Sequence, residues 1–180
     1  MKTYIALLRG INVSGQKKMP MAQLRGQLEK LGLKDVQTYI QSGNIVFRYA
    51  DTPAAGISNA IASMIQEEYG FEVPVQVLTI ADLEGAVRNN PFLPEHKEDL
   101  KLLHVTYLED NPSEDLLKKL NAASRNDRFI TKGKLIYLYC PDGYGRTKLT
   151  NTFFESKLKL KATTRNWKTT LKLLEIANNL

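Results

Sequence analysis

The chain has 180 residues, a net charge of +6 and a single cysteine, Cys140, which excludes an internal disulfide and any zinc site built from paired cysteines. No apolar run approaches the ~20 residues that a membrane-crossing helix needs. Met1-Lys2-Thr3 passes straight into an apolar segment, so a cytoplasmic protein without a leader is expected.

Residues 3–9, carrying Tyr4-Ile5-Ala6-Leu7-Leu8, read as a strand. A loop from Gly10 to Lys18 leads to a helix over 20–31. Pro20 sits in its first turn, and Met21, Leu24, Leu28 and Leu31 lie on one face. Gly32 is a left-handed stop. Residues 35–41 and 44–49 form a hairpin over Ser42-Gly43, in the register that sets Gln41 opposite Asn44. Thr52-Pro53 opens a second helix, with Ile57, Ile61, Met64 and Ile65 inward and Gly70 as its stop. Residues 73–78 complete a βαββαβ series, the ferredoxin-like order.

The series then begins again. Thr79-Ile80-Ala81-Asp82 reads as a capping box with Asp in place of Glu. Residues 89–99, with Pro91 and Pro94, form the linker region. A strand over 101–108 follows, then a helix capped by Asn111-Pro112-Ser113-Glu114 and carrying Leu116, Leu117 and Leu120. A hairpin of 127–131 and 134–140 turns over Lys132-Gly133. Two helices, 149–159 and 166–178, end the chain. The two hairpins align without gaps, Gly43 over Gly133. The expected fold is therefore α+β, with duplicated ferredoxin-like halves at 1–78 and 79–180. Its order is βαββαβ followed by a variant βαββαα, and its sheets are mainly antiparallel.

Three segments hold more polar side chains than turns or caps require: 9–18, Thr38-Tyr39-Ile40-Gln41-Ser42-Gly43-Asn44, and Thr163-Thr164-Arg165-Asn166-Trp167. Gly10 and Gly15 permit backbone turns that aim N–H groups at a phosphate. Their spacing is that of a P-loop, but Gln16 stands where its lysine belongs, and Lys17-Lys18 leaves no Ser or Thr for magnesium. That reading is rejected. An RNA-recognition sheet has the same element order, yet 42–49 and 132–139 both lack its inner aromatic pair. Between Lys132 and Lys172 ten basic residues face only Asp142 and Glu155, which suits a phosphate, a nucleic acid or an acidic surface; a solvated helix face explains the same run. Within it, Pro141-Asp142-Gly143-Tyr144-Gly145-Arg146-Thr147-Lys148 precedes a helix as an anion cradle would. Thr164 or Asn166 caps the last helix, and Trp167 belongs to its buried stripe; Arg165 is neither a cap nor a core residue.

Catalytic chemistry is poorly supplied. His96 and His104 sit in no metal or nucleophile spacing, and Cys140 reads as a buried, inert thiol. No metal and no cofactor is expected.

Leu7-Leu8-Arg9-Gly10-Ile11-Asn12-Val13, Met19-Pro20-Met21, the 38–44 segment and Ala162-Thr163-Thr164-Arg165-Asn166-Trp167 together resemble the bacterial family called domain of unknown function 1697. The resemblance covers nearly the whole chain. It implies a cytosolic α+β protein with duplicated ferredoxin-like halves, and no activity. Its signature segments fall on Arg9, Gly10, Asn12, Tyr39, Gln41, Ser42, Asn44, Arg165, Asn166 and Trp167.

The sequence is thus read as an anion-binding protein. Arg9, Asn12, Lys17, Tyr39, Gln41 and Asn44 are expected to line a groove between the halves, with Gly10 and Ser42 beside them. Arg146, Lys148, Arg165 and Asn166 would close it around a phosphorylated small molecule or a nucleic acid. The alternatives are an enzyme acting on a nucleotide-like or other anionic substrate, with Tyr39 or a lysine moving the proton, and a scaffold for a protein partner. No membrane partner is expected.

Overall fold

Apolar residues at alternate positions place one face of each strand in a core, and the strands assemble into two four-stranded antiparallel sheets. The computed structural model describes residues 1–120 and 126–180. The chain divides into two units, one of Met1–Glu84 with Lys172–Leu180, the other of Gly85–Leu171.

The first unit runs β1 (Lys2–Leu8), α1 (Met21–Lys30), β2 (Lys34–Tyr39), β3 (Asn44–Tyr49), α2 (Ala54–Tyr69), β4 (Val75–Thr79) and the start of α3 (Ile80–Arg88), with sheet order β2-β3-β1-β4. Tyr4, Ala6 and Leu8 alternate on β1 and meet Ile45 and Phe47 of β3. These residues share a core with Leu24 and Leu28 of α1 and Ile57, Ile61 and Ile65 of α2. Each fully buried leucine, isoleucine or phenylalanine among them stabilises the fold by about 1.5–3 kcal/mol. Gly70, at φ 75, ends α2 as expected. The capping box also forms: Asp82 N–H donates to Thr79 Oγ1 at 3.2 Å, and Thr79 N–H donates to Asp82 Oδ2 at 2.8 Å.

The second unit runs from the end of α3 through β5 (Leu103–Leu108), α4 (Glu114–Leu117), β6 (Arg128–Lys132), β7 (Leu135–Tyr139), α5 (Asn151–Leu158), β8 (Ala162–Asn166) and most of α6 (Trp167–Asn178). Its sheet order is β6-β7-β5-β8. Leu108, Ile136, Leu138 and Ala162 pack with Phe154 and Leu158 of α5. The opposite face carries Tyr137, whose hydroxyl donates to the Ala86 carbonyl of α3 at 2.9 Å, and Tyr107, whose hydroxyl donates to Thr170 of α6 at 3.4 Å. In this unit that second face is engaged by helices too.

The expected fold class stands, with one element added. Residues 162–166 form β8, so the second half repeats the βαββαβ order of the first and then adds α6. The threonines hide this strand from a hydropathy reading. Thr164 and Thr106 are buried, and their hydroxyls lie 2.7 Å apart; Thr164 donates onward to Asn151 at 2.7 Å. Their hydrogen bonds offset the cost of taking the hydroxyls out of water.

Backbone bonds also fix how the halves correspond. Leu8 N–H donates to Gly43 and Arg9 N–H to Pro74; Leu108 N–H donates to Lys134 and Glu109 N–H to Lys161. Gly43 therefore matches Lys134, one residue from the gapless alignment.

Candidate functional site

The polar excess of the first unit is one structure made of two loops. β1 ends at Leu8, and the chain leaves the sheet through Gly10, at φ 74. Left-handed backbone then recurs at Asn12 (φ 53), Ser14 (φ 50), Gly15 (φ 74) and Lys17 (φ 44). Asn12 N–H donates to the Lys17 carbonyl and Gln16 N–H to Val13, which closes the loop on itself. The Asn12 carboxamide ties this loop to its surroundings. Its Oδ1 accepts from Met19 N–H at 2.8 Å, and its Nδ2 donates to the Met19 carbonyl at 3.0 Å and to the Gln41 carbonyl at 2.9 Å.

The second loop is the tip of the β2–β3 hairpin. It is wider than the expected two-residue turn, because Tyr39, not Gln41, stands opposite Asn44. The loop is residues 40–43. Asn44 is fully buried, and its Nδ2 donates to the Tyr39 carbonyl at 3.1 Å and to Ser42 Oγ at 2.9 Å. Gly43 (φ 78) passes so close to β1 that a Cβ there would lie 2.6 Å from Leu8 Cβ. Ile40 is 52% exposed and holds φ 51. That conformation is costly for a β-branched residue.

The predicted residues of this unit have distinct surroundings. Asn12 and Asn44 spend their carboxamides on the loops themselves. The Lys17 ammonium donates to the Glu72 carbonyl and lies 5.9 Å from the Phe71 ring centroid. Arg9 is half-buried, Tyr39 half-buried, and Gln41 and Ser42 exposed. Among the described residues, no hydrogen bond engages the N–H groups of Gly10, Ser14, Gly15 or Lys18. Lys18 is exposed beside them, and Val13, at 56% exposure, joins Ile40 as an outward aliphatic that the sequence reading did not single out.

Arg146, Lys148, Arg165 and Asn166 belong to the second unit. Arg146 and Lys148 are exposed, Arg146 in a single 3-10 turn over Tyr144–Arg146 that follows Gly143 at φ 87. Asn166 is the cap: its Oδ1 accepts from Thr169 N–H at 2.8 Å. Arg165 is only 9% exposed, so it is a core residue after all, in β8 opposite Val105. Its guanidinium donates to the Thr164 carbonyl at 3.0 Å. Burial pulls its pKa down to about 10, against the opposing influence of Tyr107 and Tyr144, so it stays charged at neutral pH.

Tyr144 also stacks on His104, with ring centroids 4.6 Å apart. His104 is buried, and burial pushes its pKa down to about 4. The Cys140 thiol is buried and pushed up to about 11, chiefly by desolvation and then by Asp127, which leaves a poor nucleophile. Among the described residues, no three His, Cys, Asp or Glu side chains group as metal ligands would, and no helix is long and apolar enough to cross a membrane.

Comparison with known proteins agrees with this architecture. The chain is similar to the solved structure of the conserved bacterial protein SP0830 from Streptococcus pneumoniae, with a TM-score of 0.77 and 26% identity over 98% of each chain. No curated protein matches it. A family model covers residues 1–137, through both polar loops and into the second hairpin, and by that match the chain belongs to the family described as Protein of unknown function (DUF1697).

Proposed function

We propose that the paired loops of the first unit, residues 10–18 and 40–43, bind the anionic group of a phosphorylated small molecule or of a nucleic acid. The observation that carries this reading is the recurrence of left-handed residues at Gly10, Asn12, Ser14, Gly15 and Lys17, which leaves backbone N–H groups unspent beside Lys18 and Arg9. Turns that visit the left-handed region direct successive N–H groups into concavities that suit anions. Asn12 serves the site by holding the two loops together, and Lys18 and Arg9 supply charge.

Isothermal titration with inorganic phosphate, mononucleotides and a short oligonucleotide tests the reading. Saturable heat with at least one of them is expected, weakened about tenfold by Lys18→Glu through loss of one charge-assisted contact. An oligonucleotide ligand would also lose affinity steeply with added salt. No saturable heat with any probe, or an unchanged response in a folded Lys18→Glu variant, overturns the proposal.

A further inference from the structure

A sheet of four strands has two edges, and edge strands expose backbone groups that invite further pairing. Among the described residues, three of the four edges are blunted. On β4, the Val75 carbonyl accepts from Ser58 and the Thr79 N–H is taken by Asp82. On β8, Ala162 N–H donates to Glu155, the Thr164 carbonyl accepts from Arg165, and the Asn166 carbonyl accepts from Thr170. On β2, the pairing breaks between Lys34 and Gln37, where Asp35 adopts φ 52. Such a bulge is a common way to close an edge.

The fourth edge, β6, has no such device among the described residues. It pairs with β7 without interruption from Arg128 to Lys132. Leu108 N–H donates to the Lys134 carbonyl and Cys140 N–H to Leu102, so the even-numbered residues of β7 turn toward β5. Leu135, Tyr137 and Tyr139 are left to bond their partners Lys132, Ile130 and Arg128. Phe129 and Thr131 must then direct their N–H and carbonyl groups outward, and no hydrogen bond among the described residues takes any of these four. Ile130 is 36% exposed between the exposed cations Arg128 and Lys132.

We infer that β6 accepts an extended acidic peptide as a fifth strand. The ladder groups of Phe129 and Thr131 supply affinity, an aliphatic peptide residue covers Ile130, and carboxylates on either side meet Arg128 and Lys132. A second copy of the chain is a poorer occupant. Antiparallel self-pairing about Ile130 would set Arg128 against Lys132, and like charges directly opposed are destabilising. Arg128 is already 3.3 Å from Glu95, but both side chains are about half exposed, and a pair of that kind yields easily to a competing carboxylate.

Fluorescence anisotropy of the full chain with the labelled peptide Glu-Thr-Val-Thr-Glu is the test. A saturable rise is expected, with hydrogen exchange slowed at Phe129 and Thr131. Full N-methylation of the peptide deletes its ladder donors and should weaken binding about tenfold or more. Thr131→Pro removes an outward donor at an edge position where proline is tolerated, and should abolish binding in a folded protein. The inference is overturned by an absent rise, by equal binding of the N-methylated peptide or of Lys-Thr-Val-Thr-Lys, or by unchanged binding in folded Thr131→Pro. A concentration-dependent dimer that Thr131→Pro dissolves would give the edge to a second copy and overturn it too.

Discussion

The carboxamide of Asn12 donates to the carbonyl of Gln41 at 2.9 Å, across 29 residues of chain. With its two bonds to Met19 it makes one side chain the joint between the β1–α1 loop, the start of α1 and the tip of the β2–β3 hairpin. Replacing it removes these three bonds and a longer one to Met21 Sδ at 3.8 Å, and leaves the Met19 N–H without its acceptor. Asn12→Ala should therefore cost about 2–3 kcal/mol in urea unfolding. Asn12→Gly should cost about 1 kcal/mol less than Asn12→Ala, because glycine accepts φ 53 without a Cβ penalty. Equal losses would show that backbone conformation plays no part.

Two glycines of this region should respond differently to alanine. At Gly43 the added methyl meets Leu8 Cβ at 2.6 Å and the Leu8 carbonyl oxygen at 3.1 Å, in addition to the φ of 78. Gly43→Ala should cost more than about 3 kcal/mol and disturb the β1–β3 pairing. At Gly15 nothing lies within 4 Å, so only the φ of 74 is penalised, at about 1 kcal/mol. Paired melting curves check the contrast.

His104 makes stability depend on pH. Its folded pKa is held by burial at about 4, the Leu102 backbone acting weakly the other way, against an unfolded value near 6.5. The unfolded chain therefore binds the proton more readily. The full contribution of the neutral imidazole is present above pH 6.5 and is lost as pH falls from about 6.5 to 4. The loss is bounded on the order of 3 kcal/mol. Chemical denaturation at stepped pH should show this slope in the parent and a flatter one in His104→Leu.

Ile40 should be improvable. At φ 51 and 52% exposure it carries backbone strain with little burial in return. Asn tolerates the left-handed region far better, so Ile40→Asn should raise stability by about 1 kcal/mol. A lower melting temperature in Ile40→Asn would mean that the isoleucine packs on something worth more than its strain.

Much of this protein is legible without coordinates. The helices α1 and α2 follow from one-sided apolar spacing, and Gly32 and Gly70 mark their exits by lacking a Cβ. The pair Thr79 and Asp82 announces α3 because cap chemistry is local, within three residues. The βαββαβ element order of the first half follows from the same short-range periodicities. Local interactions are written in the order of the residues that make them.

What only the tertiary structure decided depends on distant partners. Ser42-Gly43 reads as a two-residue turn, yet Leu8 N–H claims the Gly43 carbonyl and Asn44 claims Tyr39 and Ser42, so the loop opens to four residues and Ile40 is turned outward. The segment Thr163-Thr164-Arg165 reads as polar, but Thr106 and Asn151 satisfy Thr164 in the interior, and Arg165 is buried in the strand. Asn12 looks like a ligand-reading amide and is found holding two loops together. A polar side chain does not declare in sequence whether water, a ligand or its own backbone will satisfy it, because that choice is set by which atoms the fold brings within about 3 Å.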